Sequence, residues 1–347
     1  MPDAAARREL ARSLVRWESA LLLLLIGTVV LGSSLTTEFL KPVNFFYIGL
    51  NFGEIAIMAL PVALIVVTGE IDLSIASMLG LSGTVMASLF AHGWSIWPAM
   101  GAALLVGLAG GTLNGVLVTR FGLPSLAVTI GTLTLFRGIA QIILPNNTIG
   151  GFPESLTKIG IVPIPGTQVP YSMAFFAVLA AITAVVLHWT PLGRSIFAIG
   201  ASSEAAFFAG IRVKRIKLLL FVAAGLISAL AGILFTLRFA AARYDSGTGL
   251  ELDVVTVVLL GGISIFGGKG TIFGVVLAAA VLASLQGALT LDLISPDEQH
   301  IVTGVLLIAS VIVPSASELY GRASSRLNSE LARRRRRGVL AAESGES

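Results

Sequence analysis

The chain has 347 residues, 55% of them apolar and only 12% charged, with a formal net charge of +4. Soluble domains carry about 25% charged residues, so a soluble globular domain is excluded, and nothing points to a nucleic-acid partner. With no cysteine in the chain, disulfides and thiolate chemistry are excluded as well.

Residues 1–18 carry Arg7, Arg8, Arg12 and Arg16 and form a basic N-terminal segment. The first apolar run, Ser19–Leu35, has the flanks of a signal peptide. No small-residue cleavage site follows it and apolar segments keep coming, so it is read as a spanning helix. Nine further segments follow: 45–67, 75–91, 96–118, 125–144, 171–188, 218–239, 254–266, 272–290 and 301–314. Several approach the ~20 residues that cross a bilayer core, and none shows the strict alternation of a barrel strand. Backbone groups in lipid must bond within the segment. The fold expected is therefore an all-α polytopic membrane protein of about ten transmembrane helices over residues 19–314. A loop rich in Pro, Gly and polar residues, 145–170, separates the fifth and sixth segments, and residues 315–347 form a basic tail expected to be disordered.

Lys and Arg concentrate on cytoplasmic loops. With both termini cytoplasmic, one side receives about eighteen basic residues, including the block Arg333–Arg337, and the other about four. Ten segments satisfy this asymmetry, whereas nine or eleven would place the basic tail outside. Trp94, Trp97, Tyr171 and Trp189 lie near segment ends, as an interfacial aromatic belt requires.

The second and eighth segments have apolar runs of only about 13 residues, 55–67 and 254–266, below a comfortable span. Each ends in a Gly-containing polar break, TGEIDLS (68–74) or GGKGT (267–271). Interrupted segments in both halves of a chain point to a transport path; tight turns with Asp72 or Ser74 as N-cap explain them equally. Candidate path or gate residues are Glu54, Glu70, Asp72, Ser74, Asn114, Arg137, Gly267, Gly268 and Lys269. Intramembrane charge is costly and usually functional, so Glu54 and Arg137 are expected either to pair with each other or to face a hydrated vestibule. Asn114 and Gln286 are expected to hydrogen-bond between helices.

Between the sixth and seventh segments lies a basic interlude, LGRSIFAIGASSEAAFFAGIRVKRIK, inside a cytoplasmic loop spanning 190–217. Its centre, 202–210, reads as a short amphipathic helix with small residues for close approach and Phe207 and Phe208 as anchors. The cluster Arg212–Lys217 suits anionic headgroups.

Four stretches, TGEIDLSIASMLGLSG, PSLAVTIGTLTLFRGIA, the interlude, and GTGLELDVVTVVLLGGISIFGGKGTIFG, occur in the order found in the permease subunits of ABC simple-sugar importers, and the chain resembles that family over residues 54–314. The loop GGFPESL leans towards its rhamnose or autoinducer-2 branch. The resemblance implies a bacterial inner-membrane permease, itself not an enzyme, that pairs with a second permease subunit around a central path. It also implies ATP-binding subunits that hold ATP and Mg, and an extracytoplasmic sugar-binding protein touching 145–170 and 292–299. It places a helix that docks on the ATPase at Ser202, Ser203, Glu204, Ala206, Phe207 and Gly210. The residues agree that hydrolysis lies elsewhere: a phosphate loop needs Ser or Thr after its Lys and a Gly five residues before the Gly-Lys pair, whereas Gly270 follows Lys269 and position 263 is Ile. No cofactor or metal is expected on this chain, and its other partner is membrane lipid.

Three other readings compete. An ion-coupled secondary transporter of a small polar solute would use Glu54, Glu70 or Asp72 as ion ligands. An intramembrane hydrolase would use Ser82 of GLSG with a nearby His, but His92, His188 and His300 all lie near segment ends. A membrane scaffold needs no breaks. Tight sugar sites combine aromatic faces with polar groups, and four Trp and four Tyr leave little aromatic surface, so no tight sugar site is expected.

Overall fold

The computed structural model describes residues 17–145 and 147–312. The basic N-terminal arginines, the block Arg333–Arg337 and the tail boundary at 315 lie outside the described residues. Long helices dominate: α1 (Trp17–Leu35), α2 (Pro42–Val67), α3 (Ile75–Ala91), α4 (Ile96–Thr119), α5 (Ser125–Ile143), α7 (Tyr171–Trp189), α10 (Val213–Phe239) and α12 (Ile272–Leu291). Shorter helices are α6 (Glu154–Ile161), α8 (Pro191–Ala201), α9 (Ser203–Phe208) and α11 (Leu250–Leu260). Residues 296–312 are helical too and form α13. Each of the ten segments thus contains a helix; seven of these helices are long and apolar enough to cross a membrane, and α3 is a shorter apolar one.

The long helix α2 is the core of the bundle. From Phe52 to Val67 nearly every side chain is buried, because α7, α10, α11 and α12 all pack on it. The apolar run 55–67 is therefore not a short span: it is the second half of a 26-residue helix. Its polar residues are accommodated by bonding, as with Asn44, whose Nδ2 donates to Phe39 O at 2.8 Å. In contrast α11 is short, 11 residues ending at Leu260.

Helices α4 and α10 meet through glycines. A Cβ on Gly111 would stand 3.0 Å from Val222 Cα and a Cβ on Gly225 2.8 Å from Gly111 Cα. Such Gly-x-x-x-Gly faces let helices approach closely where lipid offers no hydrophobic drive. The GLSG stretch has the same use: Gly83 faces Thr236 and Gly80 faces Tyr244 and Ser246. Ser82 Oγ donates to the carbonyl of Met78 on its own helix.

The bundle has two distinct ends. One carries both breaks and the start of α10. The other carries a two-stranded antiparallel ribbon, β1 (Ile149–Gly150) with β2 (Ala241–Ala242), pairing Ile149 with Ala242. The ribbon ties 145–170, read as a plain loop in the sequence, to the end of α10. There Gly160 of α6 rests on the backbone of Arg238. At the same end α13 opens with a capping box, in which Ser295 N and Oγ donate to Glu298 Oε2 at 2.9 and 2.8 Å. Trp94, Trp97, Tyr171 and Trp189 are 37–73% exposed, as a belt needs.

Candidate translocation path and coupling surface

At the break end, α2 stops at Val67 and the chain turns through Gly69. Asp72 is buried and its Oδ1 accepts from Ser74 N at 2.9 Å and Ser74 Oγ at 2.7 Å. Asn114 Nδ2 of α4 donates to Ser74 Oγ at 2.8 Å. From α5, Ser125 Oγ accepts from Ile71 N at 3.0 Å and Thr129 Oγ1 donates to Ile71 O at 3.3 Å. Ser74 occupies the N-cap position of α3 but makes no side-chain cap bond; its hydroxyl is used sideways, between Asp72 and Asn114. Glu70 pairs with Lys217 at 2.5 Å, joining this break to the first turns of α10.

The second break is built differently. Gly267 and Gly268 have φ of 82° and 73°, the left-handed region that side chains avoid. Gly268 N donates to Val67 O at 2.8 Å. A Cβ on Gly267 would stand 2.8 Å from Gly69 N and 3.0 Å from Gly200 Cα. The two breaks therefore touch, and α8 touches both through Gly200. Lys269 accepts from Ser264 N through its carbonyl at 3.1 Å. The start of α1 closes the joint: Trp17 Nε1 donates to Leu260 O at 2.7 Å, and Thr271 Oγ1 donates to Glu18 Oε1 at 3.1 Å.

From this joint the chain runs directly into the interlude. Thr190 caps α8, accepting from Gly193 N at 3.3 Å. Ser202 then caps α9, accepting from Ala205 N at 3.2 Å. Ala206 is buried against the bundle, while Glu204, Phe207 and Phe208 are exposed, the two rings at 66% and 78%. Gly210 has φ of 82° and a Cβ there would meet nothing within 4 Å. Its role is to turn the chain after the helix, not to permit close approach. Ser203 Oγ donates to Ile199 O at 3.1 Å, fixing α9 on α8.

At the ribbon end, Glu54 is 2% and Arg238 9% exposed, and Arg238 Nε meets Glu54 Oε1 at 3.0 Å. Arg238 also donates to Asn51 Oδ1 at 3.1 Å, and its guanidinium lies 4.2 Å from the Phe239 ring centroid. Of the two alternatives expected for Glu54 and Arg137, their pairing with each other is thus corrected. Because α10 stays helical to Phe239, Arg238 reaches α2 from its last turn. Arg137 instead donates to Tyr244 O at 2.8 Å and Ser246 O at 2.7 Å. Gln286 Nε2 donates to Asp253 Oδ1 at 3.3 Å across α12 and α11, and Asn114 likewise bonds between helices.

The candidates thus fall into two groups. Glu70, Asp72, Ser74, Asn114, Gly267, Gly268 and Lys269 gather at the break end; Glu54 and Arg137 lie towards the other. Arg238, Lys217, Ser125 and Gly200 were missed. A basic residue closing a continuous apolar run was the available signal for Arg238; a lone glycine in a polar stretch gave none for Gly200. The acids that an ion-coupled carrier would use are already committed, Glu54 to Arg238, Glu70 to Lys217 and Asp72 to Ser74. Ser82 has no histidine partner: His188 Nε2 accepts from Ile272 N at 3.3 Å, His92 lies on Ser88 O at 2.7 Å, and His300 lies against Gly249.

Apolar spans around two interrupted helix pairs that meet at one end define a polytopic membrane permease. The family described as "Branched-chain amino acid transport system / permease component" matches residues 44–311. An autoinducer 2 import system permease, LsrD of Klebsiella pneumoniae, is 33% identical over 87% of this chain and 92% of its own length. Ribose import permeases, RbsC, are also 33% identical: that of Escherichia coli K12 over 90% of this chain and 98% of its own length, and that of Bacillus subtilis over 82% and 88%. No solved structure matches. The chain belongs to this permease family and is a multi-pass protein of the bacterial inner membrane.

Proposed function

We propose that the chain is the permease subunit of an ATP-driven, binding-protein-dependent importer of a simple sugar, with ten spans and both described ends of the bundle assigned by charge. The break end, with Arg120, Arg194, Arg212, Lys214, Arg215, Lys217 and Lys269, faces the cytoplasm, as the excess of Lys and Arg requires. The ribbon end faces out and receives the binding protein. The relatives that import ribose and autoinducer 2 support a small polyhydroxylated cargo.

The observation that carries the reading is the joint at Gly200. The exposed Phe207–Phe208 edge of α9 is two short helical steps from a point where both breaks touch. A push on α9 by a separate ATPase, which would hold ATP and Mg, is delivered through α8 to Val67 and Gly267–Gly268 at once. Two such permeases, identical or related, then open and close a shared path by alternating access. Docking involves Ser202, Ser203, Glu204, Ala206, Phe207 and Gly210: Ser202 and Gly210 set the helix ends, Ala206 seats it, and Glu204 and Phe207 face outward.

The test is uptake and sugar-stimulated ATP hydrolysis by the assembled importer in vesicles. Glu204→Trp or Phe207→Asp should leave the permease in the membrane and separate hydrolysis from uptake. Normal coupling in both variants would remove α9 from the mechanism, and uptake by the permease without an ATPase would overturn the reading.

A further inference from the structure

Beside the Glu54–Arg238 pair, at the ribbon end, α2, α12 and the start of α13 enclose a cavity of about 520 Å³. Its polar lining comes from Asn44, Tyr47, Asn51, Gln286, Thr290 and Gln299, and no charged residue lines it. The adjoining cavity of about 360 Å³, which shares Ile48 and Phe52, has only Gln168 and Ser284 as polar side chains. Four carboxamides around one cavity is an unusual concentration in a chain that is 55% apolar. Each amide is held at one end by a neighbour. Phe39 O takes Asn44 Nδ2, Arg238 takes Asn51 Oδ1, Asp253 takes Gln286 Nε2, and Thr290 Oγ1 with Ile294 O takes Gln299 Nε2. The opposite ends make no hydrogen bond among the described residues: an NH2 on Asn51 and carbonyl oxygens on Asn44, Gln286 and Gln299.

The charges behind this lining therefore act as fixers of amide direction. Arg238 turns Asn51 so that it donates, and Asp253 turns Gln286 so that it accepts. The result is a preset array of two donor groups, Asn51 Nδ2 and the Tyr47 hydroxyl, and three acceptors, without net charge. A neutral molecule with several hydroxyls, each both donor and acceptor, satisfies such an array; an anion or cation would lose its hydration without a counter-charge. The volume lies in the range of small-molecule sites. Tyr47, 54% exposed, offers the apolar face of the sugar one ring.

We propose that this cavity is a weak entry subsite for a neutral polyhydroxylated solute, gripped by side-chain amides in place of an aromatic sandwich. The assignment rests on the sugar-importer reading above and adds where the cargo first meets the permease. One accessible ring and exchangeable hydrogen bonds hold a solute loosely, which suits a site that must pass it on.

The test uses full-length permease in lipid nanodiscs with D-ribose, L-rhamnose and the anion D-gluconate at millimolar concentration, read by ligand-observed saturation-transfer NMR. The two neutral sugars should show transfer that gluconate lacks. Tyr47→Phe and Gln299→Leu, both at the rim, should each weaken binding about five-fold, the loss of one hydrogen bond. Ala280→Val in the adjoining apolar cavity should leave it unchanged. Equal transfer from gluconate, or wild-type binding in both rim variants, would overturn the assignment. Uptake by the complete importer separates the two readings. If it carries neutral sugar while the rim variants keep wild-type binding and half-saturation, only the subsite falls. If the wild-type importer carries no neutral sugar, both fall.

Discussion

The joint between the two breaks and the charge network at the ribbon end are held by opposite means. At the joint of the two breaks, contact is made by backbone: Gly200, Gly267 and Gly268 bring three chain segments together where a Cβ would intrude, Gly69 turns the chain at a φ of 80°, and Gly268 N bonds to Val67 O. At the ribbon end, contact is made by long charged side chains: Arg238 on Glu54 and Asn51, and Arg137 on two carbonyls. A backbone joint has little slack and passes a displacement on. A side-chain network can exchange partners as helices shift, so it suits a region that opens and closes around a solute. The difference accords with the function proposed above, in which the molecule is driven at one end and loaded at the other.

Four measurements would break or sharpen this contrast. The largest effect is expected from Glu54→Leu, which leaves Arg238 buried without its carboxylate; such losses cost about 3–5 kcal/mol. Thermal unfolding in detergent should show it, and the double variant Glu54→Leu with Arg238→Met should recover much of the loss. No recovery would mean that the pair is not a unit. Next, Gly200→Ala should cost about 1–3 kcal/mol by overpacking and should reduce uptake more than stability, because it wedges the joint apart. Wild-type uptake would show that the joint does not transmit. Third, Asn114→Leu removes one interhelical hydrogen bond, worth about 0.6 kcal/mol on average in membrane helices. A Tm shift as large as that of Gly200→Ala would show that the side-chain bonds around the breaks carry as much as the backbone joint.

The smallest effect concerns the loop after β2. Arg243 donates to Asp245 with Nε at 2.9 Å and Nη2 at 2.7 Å, and that hydrogen bonding holds the Asp245 carboxyl below the ordinary carboxylate range. A lowered folded value means the contribution is present above the unfolded aspartate value, about 4, and fades as pH falls through the folded one. Both side chains are well exposed, so screening keeps the effect slight. Asp245→Asn should flatten the acid limb of a pH–Tm curve only marginally; a large change would place this loop among the main supports of the ribbon end.

Much of the bundle was legible because lipid imposes simple rules. The limits of α3 match the apolar run 75–91, and Ser202 and Gly210 mark the ends of α9, since caps and αL glycines follow from backbone chemistry alone. The segment 45–67 came within three residues of α2, but its run 55–67 was misread as a short span because Asn51 and Glu54 interrupt the apolar pattern; both are tolerated through one partner far away in sequence, Arg238. The ribbon was missed because two-residue strands carry no period to detect. Within the site, both breaks and their polar residues stood out as exceptions in an apolar chain, but their meeting point did not.

By itself the sequence determined the class of the molecule, the place of nearly every helix and the position of the two breaks, because the cost of exposing polar backbone to lipid acts locally along the chain. Only the tertiary structure decided which charges pair, that the breaks and Gly200 share one point, and that four amides surround one cavity. Those depend on which helix faces which, and that is settled by packing among residues as far as 253 positions apart.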